Sequence, residues 1–441
     1  MKEANNNIPQ HWRWAKISEL CNVVRGGSPR PAGDPKYYDG SIPFLKVRDL
    51  TKDNNTYLTT FEYTIKEAGL HKTRKIAPNT LLLSNSGATL GVPKICMINA
   101  TMNDGIAAFL DLDKRSNLYL YYFWLSKTRE LRNINMGAAQ PNLNTDIIKN
   151  YLIPLPPLPE QVAIVNKIEE LFSELENGKE QLLTAQRQLK IYRQSLLKAA
   201  FEGRLTNDSL DLPDYPDSKS IPNTKSRKSL NQENQGADNL PLGWKWVKLG
   251  EVCEINRGKS KHRPRNEPSL FGGKYPFIQT GDIRAANGGY INNFSQTYSE
   301  KGLQQSKLWA KGTLCITIAA NIGETAILGL DACFPDSVVG LVCNENLLLN
   351  KYTNYFFISH KSKLEELAPA TAQKNINVDI LEKVNIPLPP LPVQQAIVEI
   401  LESKLTVCDK LEETISHSLE QTETLRQSIL KKAFEGKLYL D

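Results

Sequence analysis

The chain has 441 residues, 40% of them hydrophobic and 23% charged, with a formal net charge of +6. That composition belongs to a folded protein of two to four domains and excludes a disordered chain. No stretch approaches the roughly 18 apolar residues of a transmembrane helix. The mild positive balance permits a nucleic-acid partner without demanding one. Cysteines at 21, 96, 253, 315, 333, 343 and 408 form no C-x-x-C pair and have no histidine at zinc-ligand spacing. Buried thiols in a reducing compartment are expected, and the start MKEANNNIPQHWRW has no apolar h-region, so the expected location is the cytoplasm.

The chain opens IPQHWRWAKISELCNVVRGG, and LPLGWKWVKLGEVCEINRGK restates that passage from Leu240. Trp12, Trp14, Lys16, Glu19, Cys21, Arg25 and Gly26 thus recur as Trp244, Trp246, Lys248, Glu251, Cys253, Arg257 and Gly258. The alternating Trp-x-Trp pattern reads as a strand with core tryptophans. Gly40 to Phe44 with Asp49 matches Gly273 to Phe277 with Asp282. Leu81 to Gly91 matches Leu314 to Gly323 with one residue deleted, and Asp104 matches Asp336. Short β-branched and apolar runs between Gly, Asn and Pro turns predict a largely β body. A helix over Tyr119 to Arg132, matched by Tyr352 to Leu367, precedes the tracts AQPNLN at 139–144 and AQKNIN at 372–377. Each copy reads as a mixed α/β domain of about 150 residues.

Each copy then runs into IPLPPLP, followed by a long helical pattern that ends RQSLLKAAFEGRL in the first and RQSILKKAFEGKL in the second. A polyproline ligand for an SH3-type partner is the alternative reading of the Pro tract. Its position before a helix argues instead for Pro159 and Pro392 in a first helical turn, where the missing N–H costs nothing. In the first helix Ile164, Ile168, Leu171, Leu175, Leu182, Ala185, Leu189, Tyr192, Leu196 and Ala199 form a heptad seam interrupted by Gly178, which marks a bend or a close crossing. The second seam holds Ile397, Leu401, Cys408, Leu411, Ile415, Leu425 and Ile429, with Lys404, Ser418, Thr422 and Lys432 interrupting it. Roughly 44 residues at 1.5 Å each give a rod about 65 Å long. Residues 206–239 are polar and aperiodic, and as a linker they reach far enough to let the second helix return antiparallel to the first.

The expected fold class is therefore α+β. Two mixed α/β domains, 1–155 and 240–388, are separated by helices 156–205 and 389–441 in an antiparallel coiled coil of approximate two-fold symmetry, with 206–239 as linker.

Catalytic signatures are missing from the sequence. There is no G-x-G among the 26 glycines, and Gly258-Lys-Ser260 lacks the earlier Walker glycine, since position 253 is Cys253. H-E-x-x-H, G-x-S-x-G and the Asn- or Asp-Pro-Pro-Tyr tract of amino-methyltransferases are also absent, and the five histidines do not cluster. A binding protein is expected rather than an enzyme. The sharpest positive signal is Arg257-Gly-Lys259-Ser-Lys261-His-Arg263-Pro-Arg265, whose alternate basic residues share one face of an extended segment and suit phosphates or guanine edges. The first copy offers Arg25 and Arg30, then Lys46, Arg48, Lys72, Arg74 and Lys75. Polar residues at the duplicated turns complete the candidate base readers: Ser84, Asn85, Ser86, Thr89, Gln140 and Asn142, with Gln279, Thr280, Arg284, Asn321, Gln373 and Asn375 in the second copy. The residues singled out for DNA binding are Arg25, Lys46, Arg48, Ser86, Thr89, Gln140, Asn142, Arg257, Lys259, Lys261, Arg263, Gln279, Arg284, Asn321, Gln373 and Asn375. No residue of this chain is assigned to a cofactor or a metal.

The whole pattern resembles the specificity subunit of type I restriction–modification enzymes. The resemblance rests on IPLPPLP-x-Q-x-AIV, on R-Q-S-[LI]-L-K-x-A-F-E-G-x-L, on the W-x-W-x-K…RG opening and on the Gln-x-Asn-[LI]-Asn exit. It implies two target-recognition domains reading the halves of a bipartite double-stranded DNA site, and helices that set the unread spacer. It also implies two methyltransferase subunits transferring methyl groups from S-adenosylmethionine to adenine N6, and motor-nuclease subunits using ATP and magnesium. All of that catalysis lies in partners. The rival readings are a coiled-coil scaffold displaying two protein-binding domains, and a nuclease with an unrecognised site.

Overall fold

The computed structural model describes residues 8–87, 89–134, 143–206, 240–261, 264–319, 321–367 and 375–438. It divides into two compact units, residues 1–184 with 415–441, and residues 185–414. Each unit therefore takes its globular body from one copy and part of its helical component from the other.

In chain order the first body comprises β1 (Arg13–Lys16), α1 (Ile17–Leu20), β2 (Asn22–Arg25), β3 (Tyr38–Leu45), α2 (Val47–Thr51), β4 (Tyr57–Leu58), β5 (Thr64–Ile65), β6 (Arg74–Ile76), β7 (Thr80–Ser84), β8 (Pro93–Cys96), β9 (Ala100–Met102), β10 (Ile106–Leu110), α3 (Asn117–Ile134), α4 (Thr145–Lys149) and β11 (Leu152–Leu155), leading into the long helix α5 (Leu158–Phe201). The second comprises β12 (Lys245–Lys248), α6 (Leu249–Val252), β13 (Cys253–Arg257), β14 (Phe271–Phe277), α7 (Thr280–Ala286), β15 (Tyr290–Ile291), β16 (Gln296–Tyr298), α8 (Glu300–Gln304), β17 (Leu314–Thr317), β18 (Thr325–Leu328), β19 (Val338–Cys343), α9 (Asn350–Ser359), α10 (Lys361–Leu367), α11 (Val378–Glu382) and β20 (Asn385–Leu388), leading into α12 (Leu391–Phe434).

The central sheets share one strand order, β2-β10-β7-β8-β4 and β13-β19-β17-β18-β15, each closed by a parallel edge strand. All five residues of β7 are buried because both faces of the sheet are covered. Alternate side chains divide between the layers. Leu81, Leu83, Ala107 and Phe109 pack on Tyr119, Phe123 and Trp124 of α3, while Leu82, Cys96 and Ala108 meet Leu45, Leu50 and Met102. A second sheet, β5-β3-β9-β6, lies in the first body; in the second, among the described residues, its place is taken by β14-β16 with isolated bridges Phe277↔Cys333 and Trp309↔Ala332.

The Pro tracts are structural. Leu152 to Leu155 pairs antiparallel with the Trp-x-Trp strand, Trp14 opposite Pro154, and the second copy repeats this with Trp246 opposite Pro387. Proline suits such a two-stranded edge because it removes only a donor. Tyr119 donates its hydroxyl to the Pro154 carbonyl at 2.6 Å, and Tyr352 donates to that of Pro387 at 2.8 Å. The recurring glutamine fastens the helix start, with Gln161 Nε2 donating to Pro156 at 3.0 Å and Gln394 Nε2 donating to Pro389 at 2.9 Å. The expectation of core tryptophans holds for Trp12, which is buried and donates to Glu160; Trp14 and Trp244 are half-buried and Trp246 is exposed.

Inside each unit the two long helices run in opposite directions. In the first, Ile164 and Ile168 share a core with Leu430 and Phe434, and further along α5 the ring of Phe172 meets the Arg426 guanidinium at 4.3 Å. In the second, Leu197 and Phe201 share a core with Ile397 and Leu401, and Arg193 bonds Asp409 at 2.6 Å and Glu412 at 3.0 Å. The seam departs from its expected line. Tyr192, Leu411 and Leu425 are 47%, 48% and 50% exposed, and the equivalent arginines Arg193 and Arg426 turn inward instead. A straight helix drifts about 20° per heptad, which carries a strict heptad series off the contact. Gly178 is no close crossing: α5 runs through it unbroken, and a Cβ there would meet nothing within 4 Å. The helix expected over Tyr352 to Leu367 is two helices, broken at His360.

The ends of the long helices complete the bodies. Phe434 packs edge-on against Tyr119 and Phe123 at 5.2 and 5.3 Å, and Phe201 packs against Tyr352 and Phe356 at 5.2 and 5.5 Å. Phe434→Ala is expected to destabilise the first unit, and Phe201→Ala the second, by about 3–5 kcal/mol in chemical denaturation.

His360, stacked on Phe356 at 4.3 Å and edge-on to Phe201, has no histidine counterpart in the first copy, where Lys127 stands. Burial, helped by the Lys363 charge, holds its imidazole below the ordinary 6.5 despite a hydrogen bond to the Phe356 carbonyl that pulls the other way. The unfolded chain therefore takes up the proton first. Stability of residues 185–414 should be full above pH ~6.5 and fall as the pH drops towards the folded value; a His360→Gln variant should show a flatter denaturation midpoint over that window.

Candidate nucleic-acid interface

Three chain segments meet at one end of the first central sheet: the C-terminal ends of β2 and β7 and the turn leading into β10. Gly26 N–H donates to Ile106 and Gly27 N–H to Met102. A Cβ on Gly26 would lie 2.1 Å from the Asn103 carbonyl, and one on Gly258 2.3 Å from that of Pro335. The repeated Arg-Gly thus needs glycine for backbone approach. Arg25 Nε donates to the peptide oxygen of Asp104, whose carboxylate accepts the Ser28 hydroxyl at 2.7 Å and lies 3.5 Å from Arg30. Arg74 Nε donates to the Arg25 carbonyl and Lys72 Nζ to that of Arg30. A Cβ on Gly105 would touch Val47 at 2.6 Å and Ser86 Oγ at 2.7 Å, so the start of α2 and the loop after β7 border the same turn.

The second body repeats this with other residues. Arg257 Nε donates to the peptide oxygen of Asp336, and the Arg265 guanidinium donates to its carboxylate at 2.7 Å. Arg257, Lys259 and Lys261 are exposed, Gly258 between them is buried and Ser260 is partly buried, the alternation expected of an extended basic segment. Ile318 N–H donates to Ser337, beside Asp336, and Ala319 bridges to Asn375. Asn375 carries a buried Oδ1 without a hydrogen-bond partner among the described residues, and exposed Asn321 lies on the same loop as Ala319.

Asp49 and Asp282 shape the neighbouring edge. Asp49 accepts the Lys46 and Glu62 amides, and Asp282 those of Gln279 and Ser295, fixing the starts of α2 and α7.

Of the residues singled out in the sequence, Arg25 and Ser86 meet the Asn103–Gly105 turn, Lys46 and Arg48 flank Val47, which also touches it, and Thr89 is exposed on the adjoining loop. Besides Arg25 on the Asp104 peptide oxygen, two more have intramolecular partners: the Lys46 ammonium sits 3.4 Å from the Tyr63 ring centroid, and Arg48 pairs with Glu62 at 3.5 Å. Gln279 Nε2 contacts Gln296 Oε1 at 3.1 Å, and Arg284 is exposed on α7. Gln140, Asn142, Arg263 and Gln373 lie outside the described residues. Ser84 and Asn85 are fully buried and cannot reach a duplex as they stand. The Ser84 hydroxyl donates to Thr89 and accepts from Val92 across the loop base, as Thr317 does with Asn321 and Glu324. Sequence reasoning marks Arg30, Lys72, Arg74 and Arg265 only as further basic residues; the fold brings them to Arg25 and Arg257, and the matched Asp104 and Asp336 are the signal for where.

Two like-built heads, each with a cationic turn at one end of its sheet and each seated on long helices, define a class of twin-headed nucleic-acid reader. The chain belongs to the type I restriction–modification specificity family: the type I restriction modification DNA specificity domain matches residues 9–185 and 241–421. It is a specificity subunit with two DNA-recognition domains. It is 24% identical over 458 aligned residues to the EcoBI specificity subunit of Escherichia coli, covering 98% of this chain and 88% of that one. It is 23% identical over 445 residues to the MjaIX specificity subunit of Methanocaldococcus jannaschii, covering 98% and 95%. The fold is similar to the solved HsdS subunit from Thermoanaerobacter tengcongensis, with a TM-score of 0.65, 22% identity and coverage of 99% and 100%. A chain solved in a study of type I assembly and conformational transition gives 0.70, 22%, and coverage of 98% and 99%. Among the described residues no helix is long and apolar enough to cross a membrane.

Lys259→Ala with Lys261→Ala is expected to weaken binding of duplex DNA by the assembled complex nearly uniformly across sequences. The slope of log K against log salt should become shallower by roughly 0.9 for each phosphate that is no longer neutralised, read by fluorescence anisotropy.

Proposed function

We propose that each globular body reads one half of a bipartite DNA site, that the paired helices set the unread spacer and dock two methyltransferase subunits for adenine N6 methylation, and that motor-nuclease subunits join for restriction. The chain itself acts without catalysis in the cytoplasm, and S-adenosylmethionine, ATP and magnesium belong to its partners. One observation carries this reading. The two heads share strand order, the Arg-Gly contact and the aspartate turn, yet differ in what surrounds them: Lys46 stands against Gln279, Arg48 against Gly281, Asn85 against Ile318 and Ser86 against Ala319. A common frame with different side chains at its reading end suits two different half-sites, because base edges supply the sequence information and phosphates the register.

The test is to co-express the chain with its methyltransferase and map methylated adenines genome-wide. Exchanging residues 1–150 for those of another specificity subunit should change one half of the methylated motif and leave the other half intact. Methylation unchanged by the exchange would sink the proposal.

A further inference from the structure

The aspartate at the reading end is placed alike in both heads, and it does two jobs in each. Its peptide oxygen holds the strand-end arginine, Arg25 or Arg257. Its carboxylate draws in a second guanidinium, Arg30 at 3.5 Å or Arg265 at 2.7 Å. The strand-end arginines are equivalent in the repeat, whereas the second ones come from loops of different sequence: SPRPAGDP follows Gly27, and SKHRPRNEP follows Lys259. The loops have diverged, while one aspartate that holds one arginine by its peptide oxygen and a second by its carboxylate is present in both. A group that read bases would have no reason to be common to two different half-sites; the sugar–phosphate backbone is what both share.

Resting on the reading above, we propose that Asp104 and Asp336 are positioning residues that hold a pair of arginines together for phosphate contact in each head, and that their charge keeps the second arginine from gripping non-cognate DNA. Arg30 and Arg265 have side chains 69% and 53% exposed, so these pairs contribute little to folding stability. Removing the carboxylate charge frees a mobile cation that meets the phosphates of any duplex equally, which raises non-specific affinity and adds to the salt dependence.

The experiment uses the full chain assembled with its methyltransferase subunits and three duplexes: the mapped cognate site and the same site scrambled in either half. Asp336→Asn should lower the preference for cognate over the duplex scrambled in the second head's half about tenfold. It should also steepen the salt slope of scrambled-duplex binding by about 0.9, one phosphate's worth. Asp104→Asn should do the same for the other half. Asp336→Asn combined with Arg265→Gln should return the slope to its original value, which a purely structural role for the aspartate would not do. The inference is overturned if preference and slope stay unchanged in Asp336→Asn and Asp104→Asn, if both halves lose preference equally, or if the double variant behaves like Asp336→Asn alone. An unsubstituted complex without half-site preference would bring down the reading beneath it as well, so the two failures are distinguishable.

Discussion

The reciprocal seating of helix ends is the constraint on which the rest depends. Phe434, from the end of the second copy, closes the aromatic core of the first body, and Phe201, from the end of the first, closes that of the second. Neither body has a complete core from its own repeat. Each glycine that stops a long helix, Gly203 at φ +72 and Gly436 at φ +68, then abuts the proline that begins the other copy, Pro241 or Pro9. The left-handed backbone favours glycine at both places, and the crowding against proline leaves no room for a side chain. The repeated R-Q-S…A-F-E-G ending is therefore a plug whose socket lies in the other repeat.

This arrangement explains how much was legible in advance. The long helices, the two heads and the strand opposite the Pro tract follow from periodicity and from the repeat itself, because Trp-x-Trp and IPLP recur together and need each other as strand partners. The exchanged plugs are not written in any one segment: Phe201 and Phe434 look like ordinary helix-end residues until the helices are paired in opposite directions. The drift of the seam was also hidden. A strict heptad count assigns Tyr192 and Leu425 inward, but the rotation accumulated along each helix presents Arg193 and Arg426 instead, one to carboxylates and the other to a phenylalanine face.

At the candidate interface, composition identified the charged residues and chain separation concealed their neighbourhood. Arg25 and Arg74 are 49 positions apart and share a hydrogen bond. Ser84 and Asn85 show the opposite error, since a polar residue at a loop looks like a reader even where, as at Ser84, it is the loop's internal fastening. Asn85 is stranger. It is fully buried, neither atom of its carboxamide has a hydrogen-bond partner among the described residues, and the second head places Ile318 at the equivalent position. An unsatisfied buried amide costs stability, and nothing in the first head's own core accounts for keeping it.

The small clasp of β1 and β11, repeated as β12 and β20, has a consequence for inheritance. Lys16 lies directly opposite Leu152, and Lys248 opposite Asn385, so the chain leaves each clasp and returns to it at adjacent points. Everything between is topologically an insertion into a two-stranded ribbon. Homologous recombination with crossovers in the clasp segments can replace a whole head as a cassette. The helices and their plugs meet the incoming piece at the sockets on α3 or α9, where Tyr119 and Phe123, or Tyr352 and Phe356, receive the phenylalanine. With such a frame, a whole head is exchanged in one genetic event, without being rebuilt residue by residue.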